Sequence, residues 1–158
     1  VIKEEILGKT GRTIPDFLNY QVHVEKESMA NTPAVFPVYA TLLTLQWLKK
    51  QGGIAGIEKI NDAKANLLYS EIDRNPLFVG LAQAEDRSNM NATFKLVNEE
   101  HAAVFDALWK EAGINGITGY RSLGGYRASM YNALPLESVQ VLVDVMQDFE
   151  TKVKEIEI

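Results

Sequence analysis

The chain has 158 residues with 16 basic and 21 acidic side chains, a formal net charge of −5, and no cysteine. Its hydrophobic content of 46% is that of an ordinary globular domain and excludes a disordered tail, while the lack of cysteine excludes a disulfide framework and a cysteine nucleophile. The negative balance argues against a nucleic-acid partner, and no apolar run reaches the roughly 20 residues of a membrane helix. We therefore expect a globular, cytoplasmic chain that binds neither nucleic acid nor membrane.

The first part of the chain, residues 1–74, predicts a strand end, a loop and two helices. Residues 1–3 are interpreted as the end of a strand. Residues 9–32 are polar and aperiodic, which predicts a long ordered loop with a turn near Pro15. Loops of this length are often functional.

Two helices are predicted after this loop. Apolar residues at a spacing of three to four from Pro33 onward predict a helix with one buried face, ended by Gly52-Gly53. Thr32 is a good N-cap, and proline is suited to the first helical position. A second helix is predicted from about 55 to 73, with Lys64 on its buried side through the aliphatic stem.

Residues 75–158 predict an α+β domain in the order β-β-α-β-β-α. The predicted elements are strands at 77–82 and 90–97, a helix at 99–112, strands near 116–119 and 127–131, and a helix from Pro135. One amphipathic sheet covered by helices on one face would bury the apolar stripes of these segments.

A first candidate site is the segment 28–33, which reads Ser-Met-Ala-Asn-Thr-Pro. A helix N-terminus presents free backbone N–H groups and a partial positive charge, so it favours an anion. Asn31 and Thr32 add side-chain donors beside it. An ordinary N-cap explains the same residues.

A second candidate site is the segment 119–129, which reads Gly-Tyr-Arg-Ser-Leu-Gly-Gly-Tyr-Arg-Ala-Ser. Arg121 and Arg127 lie six residues apart around Gly124-Gly125, and Arg127 opens a predicted strand. A guanidinium on a rigid element matches a carboxylate through two parallel hydrogen bonds, and glycines let a backbone pass close to a ligand. A turn with surface arginines is the alternative. Because the sequence places no second histidine or acidic residue at metal-ligand spacing from His23 or His101, we expect no metal site.

Taken together, these segments resemble phosphoserine aminotransferase. The resemblance is carried by Asn31-Thr32-Pro33, by Trp47-Leu48-Lys49 with Gln51-Gly52-Gly53, and by Arg87-Ser88-Asn89-Met90-Asn91. The most specific motif joins Gly119-Tyr120-Arg121 to the run from Gly124 to Pro135. The resemblance as a whole covers nearly the entire chain, and it matches only the C-terminal portion of the family's sequences.

The resemblance implies an α/β fold of the pyridoxal 5′-phosphate (PLP) transferases, in which residues 1–74 are the tail of the large domain and 75–158 the small domain. It also implies a homodimer that exchanges an amino group between glutamate and 3-phosphohydroxypyruvate to make phosphoserine for serine biosynthesis.

The resemblance implies a role for five residues. Asn31 and Thr32 match residues that bind the PLP phosphate of the neighbouring subunit, and Arg127 matches the arginine that holds the substrate α-carboxylate. Tyr120 and Arg121 match a His-Arg pair near the distal phosphate or carboxylate. Tyr120 departs from this pattern, since a phenol has no positive charge at neutral pH.

The resemblance also implies that this chain contains no catalytic residue. The family's Schiff-base lysine lies upstream of the strand at which the chain begins, so we expect the chain alone to be inactive. Two alternatives stay open: a free-standing, non-catalytic α+β module that binds an anion or a partner, and a PLP aminotransferase with a different amino-acid substrate.

Overall fold

The computed structural model describes residues 2–119 and 124–156. Backbone contacts divide the chain into two units, Val1–Trp47 and Leu48–Ile158. The domain boundary that the sequence predicts between residues 74 and 75 stays a prediction. Within the described residues, every helix is too short or too polar to span a lipid bilayer.

The first unit contains short helical segments where the sequence predicts a loop. A 3-10 turn covers Asp16–Leu18, which confirms the turn near Pro15, but it is followed by helix α1 at Tyr20–Glu25. The helix begins because the Asn19 side chain accepts a hydrogen bond from the backbone N–H of Gln21 at 3.1 Å. Of the strand end predicted at 1–3, residues 2 and 3 adopt no strand.

Helix α2 spans Val35–Lys50, close to its predicted position. It begins three residues after Thr32, so Thr32 is not its N-cap. Pro37 is tolerated because it is the third helical residue, where a backbone N–H has no partner within the helix. The prediction of a buried face is wrong within this structure: no residue of α2 is buried, and Phe36 is 78% exposed. The apolar side chains of α2 are distributed around the whole helix axis, a pattern typical of a helix in the interior of a larger protein.

The second unit is an α+β arrangement of two layers, in which helices cover one face of a small sheet. Its elements are α3 Gly53–Arg74, β1 Phe78–Gly80, β2 Asn91–Leu96, α4 Ala102–Glu111, β3 Tyr126–Ser129 and α5 Leu136–Ile156. The strands form an antiparallel sheet in the order β1-β2-β3. Side chains alternate along β2, so that Ala92, Phe94 and Leu96 are buried between the sheet and the helices.

The core of this unit is aromatic at its centre. Phe105 of α4 meets Phe78 and Phe149 with ring centroids 5.2 Å from each, and Phe94 stacks on Tyr126 at 5.6 Å. Edge-to-face and stacked pairs of this kind add to the free energy of burial. They join β1, β2 and β3 to α4 and α5, so the sheet is held rigidly against the helices.

The strand predicted at 116–119 is reduced to a single bridge between Thr118 and Tyr126. Gly116 has a left-handed φ of 72°, which cannot continue an extended strand. Two hydrogen bonds remain beside the bridge, from Arg127 N to Ile117 O at 2.7 Å and from Gly119 N to Gly125 O at 2.8 Å. The sheet of the described residues therefore has three strands instead of the predicted four.

Candidate functional site

The candidate site is built on the face of the sheet that points away from the helices. Because side chains alternate, Asn91 and Thr93 of β2 lie on this face, opposite Ser129 and Arg127 of β3 respectively. The Ser129 hydroxyl donates to the Asn91 side-chain oxygen at 3.2 Å. The apolar face of these two strands is buried, and the opposite face carries a row of polar groups, which we call the open face.

Arg127 is the cation that β3 contributes to the open face. It is half-buried, and it lies directly across from Thr93 on the neighbouring strand. Its backbone is bonded through the N–H to Ile117 O. A guanidinium carried on a paired strand has its origin fixed, which is the arrangement needed for two parallel hydrogen bonds to a carboxylate.

The glycine pair before β3 is required by the sheet. Gly124 and Gly125 have left-handed φ values of 67° and 65°. A Cβ on Gly125 would lie 2.6 Å from the carbonyl oxygen of Phe94 and 3.1 Å from the Cβ of Lys95. The structure thus gives Gly125 a close approach to β2, where the sequence suggested a close approach to a ligand.

A half-buried carboxylate, that of Asp106, holds the beginning of β3. The Tyr126 hydroxyl donates to Asp106 Oδ1 at 2.9 Å, and the same oxygen accepts from Trp109 Nε1 at 3.0 Å. Burial, followed by this hydrogen bond to Asp106, raises the pKa of Tyr126. The residue before Arg127 is therefore a neutral phenol fastened to α4.

Lys64 of α3 places its amine next to the residues that follow β3. The sequence predicts burial of only its aliphatic stem. The side chain of Lys64 is fully buried, and its Nζ donates to the carbonyl oxygens of Met130 and Tyr131, each at 2.9 Å. Burial lowers the pKa of this amine. The sequence feature that points to this buried amine is the position of Lys64 within an otherwise apolar stripe of the helix.

The Arg87-Ser88-Asn89-Met90-Asn91 motif fastens the loop before β2 to α3. Arg87 makes two bonds of 2.7 and 2.6 Å to Asp73, and its guanidinium lies 4.6 Å from the ring centre of Tyr69. Asn89 donates to Asp62 at 2.7 Å. These contacts explain the motif as a support for β2 and its open face.

The remaining predicted site residues lie elsewhere. Asn31 and Thr32 belong to the first unit, where both are exposed on the segment before α2, and the Asn31 amide donates to Thr32 O over a long 3.4 Å. Tyr120 and Arg121 lie outside the described residues. Within the described residues, no group of three histidines, aspartates or glutamates gathers to hold a metal ion.

The fold and its arginine-bearing strand define a class. Residues 3–142 match the model of the aminotransferase class-V family. The chain belongs to this family, and the match extends over both units.

More specific likeness comes from individual proteins. The chain is 70% identical over 153 residues to the phosphoserine aminotransferase of Flavobacterium psychrophilum, covering 97% of this chain and 43% of that relative. It is similar to the solved phosphoserine aminotransferase of Bacillus circulans subsp. alkalophilus, with a TM-score of 0.85 at 36% identity over 96% of this chain and 42% of that one. It is also similar to the PLP-bound enzyme of Trichomonas vaginalis, with a TM-score of 0.75 at 34% identity over 85% of this chain and 39% of that one.

These relatives support the predicted resemblance and the fold it implied. The chain spans about 43% of the length of the curated relative. They do not favour the alternative of a free-standing binding module.

Proposed function

We propose that the full-length protein containing this chain is a PLP-dependent aminotransferase that moves an amino group between glutamate and 3-phosphohydroxypyruvate, yielding 2-oxoglutarate and phosphoserine. The observation that carries this proposal is Arg127, a half-buried guanidinium on the open face of a rigid strand in a chain 70% identical to a phosphoserine aminotransferase. A cytoplasmic location stays a prediction.

The role we assign to Arg127 is to hold the α-carboxylate of the amino-acid substrate. Two parallel, charge-assisted hydrogen bonds fix both the distance and the plane of the carboxylate. The orientation of the bonds at the α-carbon then follows, so that the proton to be removed always points the same way. We assign Arg121 and Tyr120 to the distal phosphate or carboxylate.

The cofactor phosphate is assigned to Asn31 and Thr32 of the neighbouring subunit, which makes the enzyme a homodimer. The donor chemistry fits: an amide and a hydroxyl are exposed side by side, and the 3.4 Å bond of Asn31 to Thr32 O is long enough to be exchanged for a phosphate oxygen at small cost. When bound, PLP supplies the electron sink for charge that develops at the α-carbon.

The exposed apolar side chains of α2 support the same proposal. Phe36, Val38 and Leu45 are each more than half exposed. A helix that is apolar all round is stable in water only when other parts of a larger protein cover it. We expect the remainder of the full-length enzyme to cover α2 and to supply the lysine that the chemistry requires, so the chain alone should be inactive.

The experiment replaces Arg127 in the full-length enzyme. Arg127→Lys keeps the charge but loses the fork, and we expect kcat/KM for glutamate to fall by about ten- to a hundredfold, the equivalent of about 1.5–3 kcal/mol for a hydrogen bond to a charged group. Arg74→Lys is the matched control, since Arg74 pairs with Glu71 and Glu150 instead.

Three outcomes would each count against a part of the proposal. A wild-type full-length enzyme without glutamate-dependent turnover of 3-phosphohydroxypyruvate would remove the function. An unchanged kcat/KM for glutamate in Arg127→Lys would remove Arg127 from the carboxylate site. Turnover of alanine or serine in preference to phosphoserine would instead favour a PLP aminotransferase with another substrate.

A further inference from the structure

Lys64 is a buried cation that the proposed reaction does not use. It is 0% exposed, and its two hydrogen bonds go to backbone carbonyl oxygens. Burying an ammonium is costly, and a leucine or methionine would fill the same stripe of α3 at no such cost. The position of the two carbonyls explains what the amine does there.

The two carbonyls belong to the residues that directly follow β3. Met130 comes after Ser129, the last residue of the strand, and its own N–H extends the ladder by donating to Met90 O at 2.8 Å. Lys64 therefore fixes the two peptide groups at which the chain leaves the sheet. One turn earlier on α3, the Asn61 amide donates to Asn132 Oδ1 at 2.8 Å.

These contacts complete a clamp on the strand that carries Arg127. The beginning of β3 is held by Tyr126 through Asp106, and the end is held by α3 through Lys64. Arg127 lies between the two anchors. If one anchor is lost, the strand can rotate or slide at that end, and the origin of the guanidinium moves with it.

We propose that Lys64 is a positioning residue for Arg127, acting by fixing the carbonyls of Met130 and Tyr131. This inference rests on the proposed function, because it assumes that Arg127 binds the substrate carboxylate. It assigns to Lys64 an effect on substrate affinity beyond its effect on folding.

The test is a double-mutant cycle in the full-length enzyme. Lys64→Met keeps the volume but removes the donors, and we expect kcat/KM for glutamate to fall about tenfold, since small misplacements of positioning groups cost up to about a hundredfold. In an Arg127→Lys background the same change should cost less than about twofold, because contacts that act as one unit are not additive. Lys59→Met, at an exposed position of the same helix, is the control and should change nothing.

Two further measurements separate positioning from folding. Amide exchange measured by mass spectrometry should accelerate over 126–132 in Lys64→Met. If Lys64→Met does not fold, Asn132→Ala at an exposed position is the milder variant, with an expected loss of about two- to threefold that also disappears in the Arg127→Lys background.

The outcomes are distinct. Losses that multiply independently of Arg127, or a Lys64→Met enzyme with wild-type kcat/KM and unchanged exchange, would overturn the positioning role. If Arg127→Lys alone is silent while exchange over 126–132 still accelerates in Lys64→Met, the proposed carboxylate site fails, and the positioning of a substrate-binding arginine fails with it. In that case Lys64 is left as a structural anchor.

Discussion

Glu71 offers the sharpest test of how the helices of the second unit are held together. Its side chain is 3% exposed and accepts from Arg74 at 3.0 and 2.8 Å, from Asn75 at 2.9 Å and from Gln147 of α5 at 3.2 Å. Glu71→Gln removes the negative charge and replaces one accepting oxygen by an NH2 group, which is itself a donor and cannot accept these hydrogen bonds. The variant should therefore weaken the junction between α3 and α5.

The magnitude follows from what each partner loses. Breaking a fully buried ion pair costs about 3–5 kcal/mol. Here the Arg74 side chain is 51% exposed and keeps Glu150 at 2.7 Å, and Asn75 keeps the Met146 carbonyl at 3.2 Å. We therefore expect about 2 kcal/mol, which corresponds to about a 30-fold change in the opening equilibrium.

The assay is amide exchange in the full-length enzyme, read on peptides that cover 68–76 and 142–150. Exchange should be about 30-fold faster in Glu71→Gln than in the wild type. Glu58→Gln, at an exposed position of α3, is the matched control. If both variants exchange alike, the hydrogen bonds to Glu71 contribute nothing and the reasoning is refuted.

The pH dependence of the difference in stability between the wild type and Glu71→Gln gives a second readout. Burial alone would raise the pKa of Glu71, but the hydrogen bonds from Arg74, Asn75 and Gln147 outweigh it, so the pKa is lowered on folding. The stabilisation is thus complete above the ordinary glutamate pKa of about 4.3 and is lost as the pH falls through the lower folded value. The difference between wild type and Glu71→Gln should be constant from pH 6 to 8 and shrink below about pH 4.

Three further predictions concern the start of β3. Tyr126→Phe should lower the free energy of unfolding by only about 1 kcal/mol, because the 38% exposed carboxylate of Asp106 regains a hydrogen bond to water. A urea titration measures this loss. A loss above about 3 kcal/mol would show that the Tyr126–Asp106 hydrogen bond has a larger role than this reasoning allows. Gly124→Ala should lower the free energy of unfolding by about 1–2 kcal/mol, the cost of a left-handed φ, since its Cβ meets no atom of the described residues within 4 Å. Gly125→Ala should cost more in the same titration, because its Cβ meets the carbonyl of Phe94; equal losses would refute the close approach.

Much of the second unit was predictable because its helices and β2 bury one face. Periodicity predicted α3, α4, α5 and β2 within a few residues of their observed bounds. The prediction of a strand at 116–119 was wrong, because the sequence pattern does not show whether a glycine adopts a left-handed φ and interrupts the strand pairing. α1 was missed because a six-residue helix with a side-chain cap leaves almost no periodic signal.

The sequence by itself determined the family resemblance and the candidate residues, since local motifs such as Gly124-Gly125-Tyr126-Arg127 are read without any fold. Only the tertiary structure decided which of these residues support one another. Register across β2 placed Arg127 opposite Thr93, and burial drew the Lys64 amine to the carbonyls that follow β3. Such contacts join positions 34 to 67 residues apart, and no local pattern encodes them because they depend on how helices pack against the sheet.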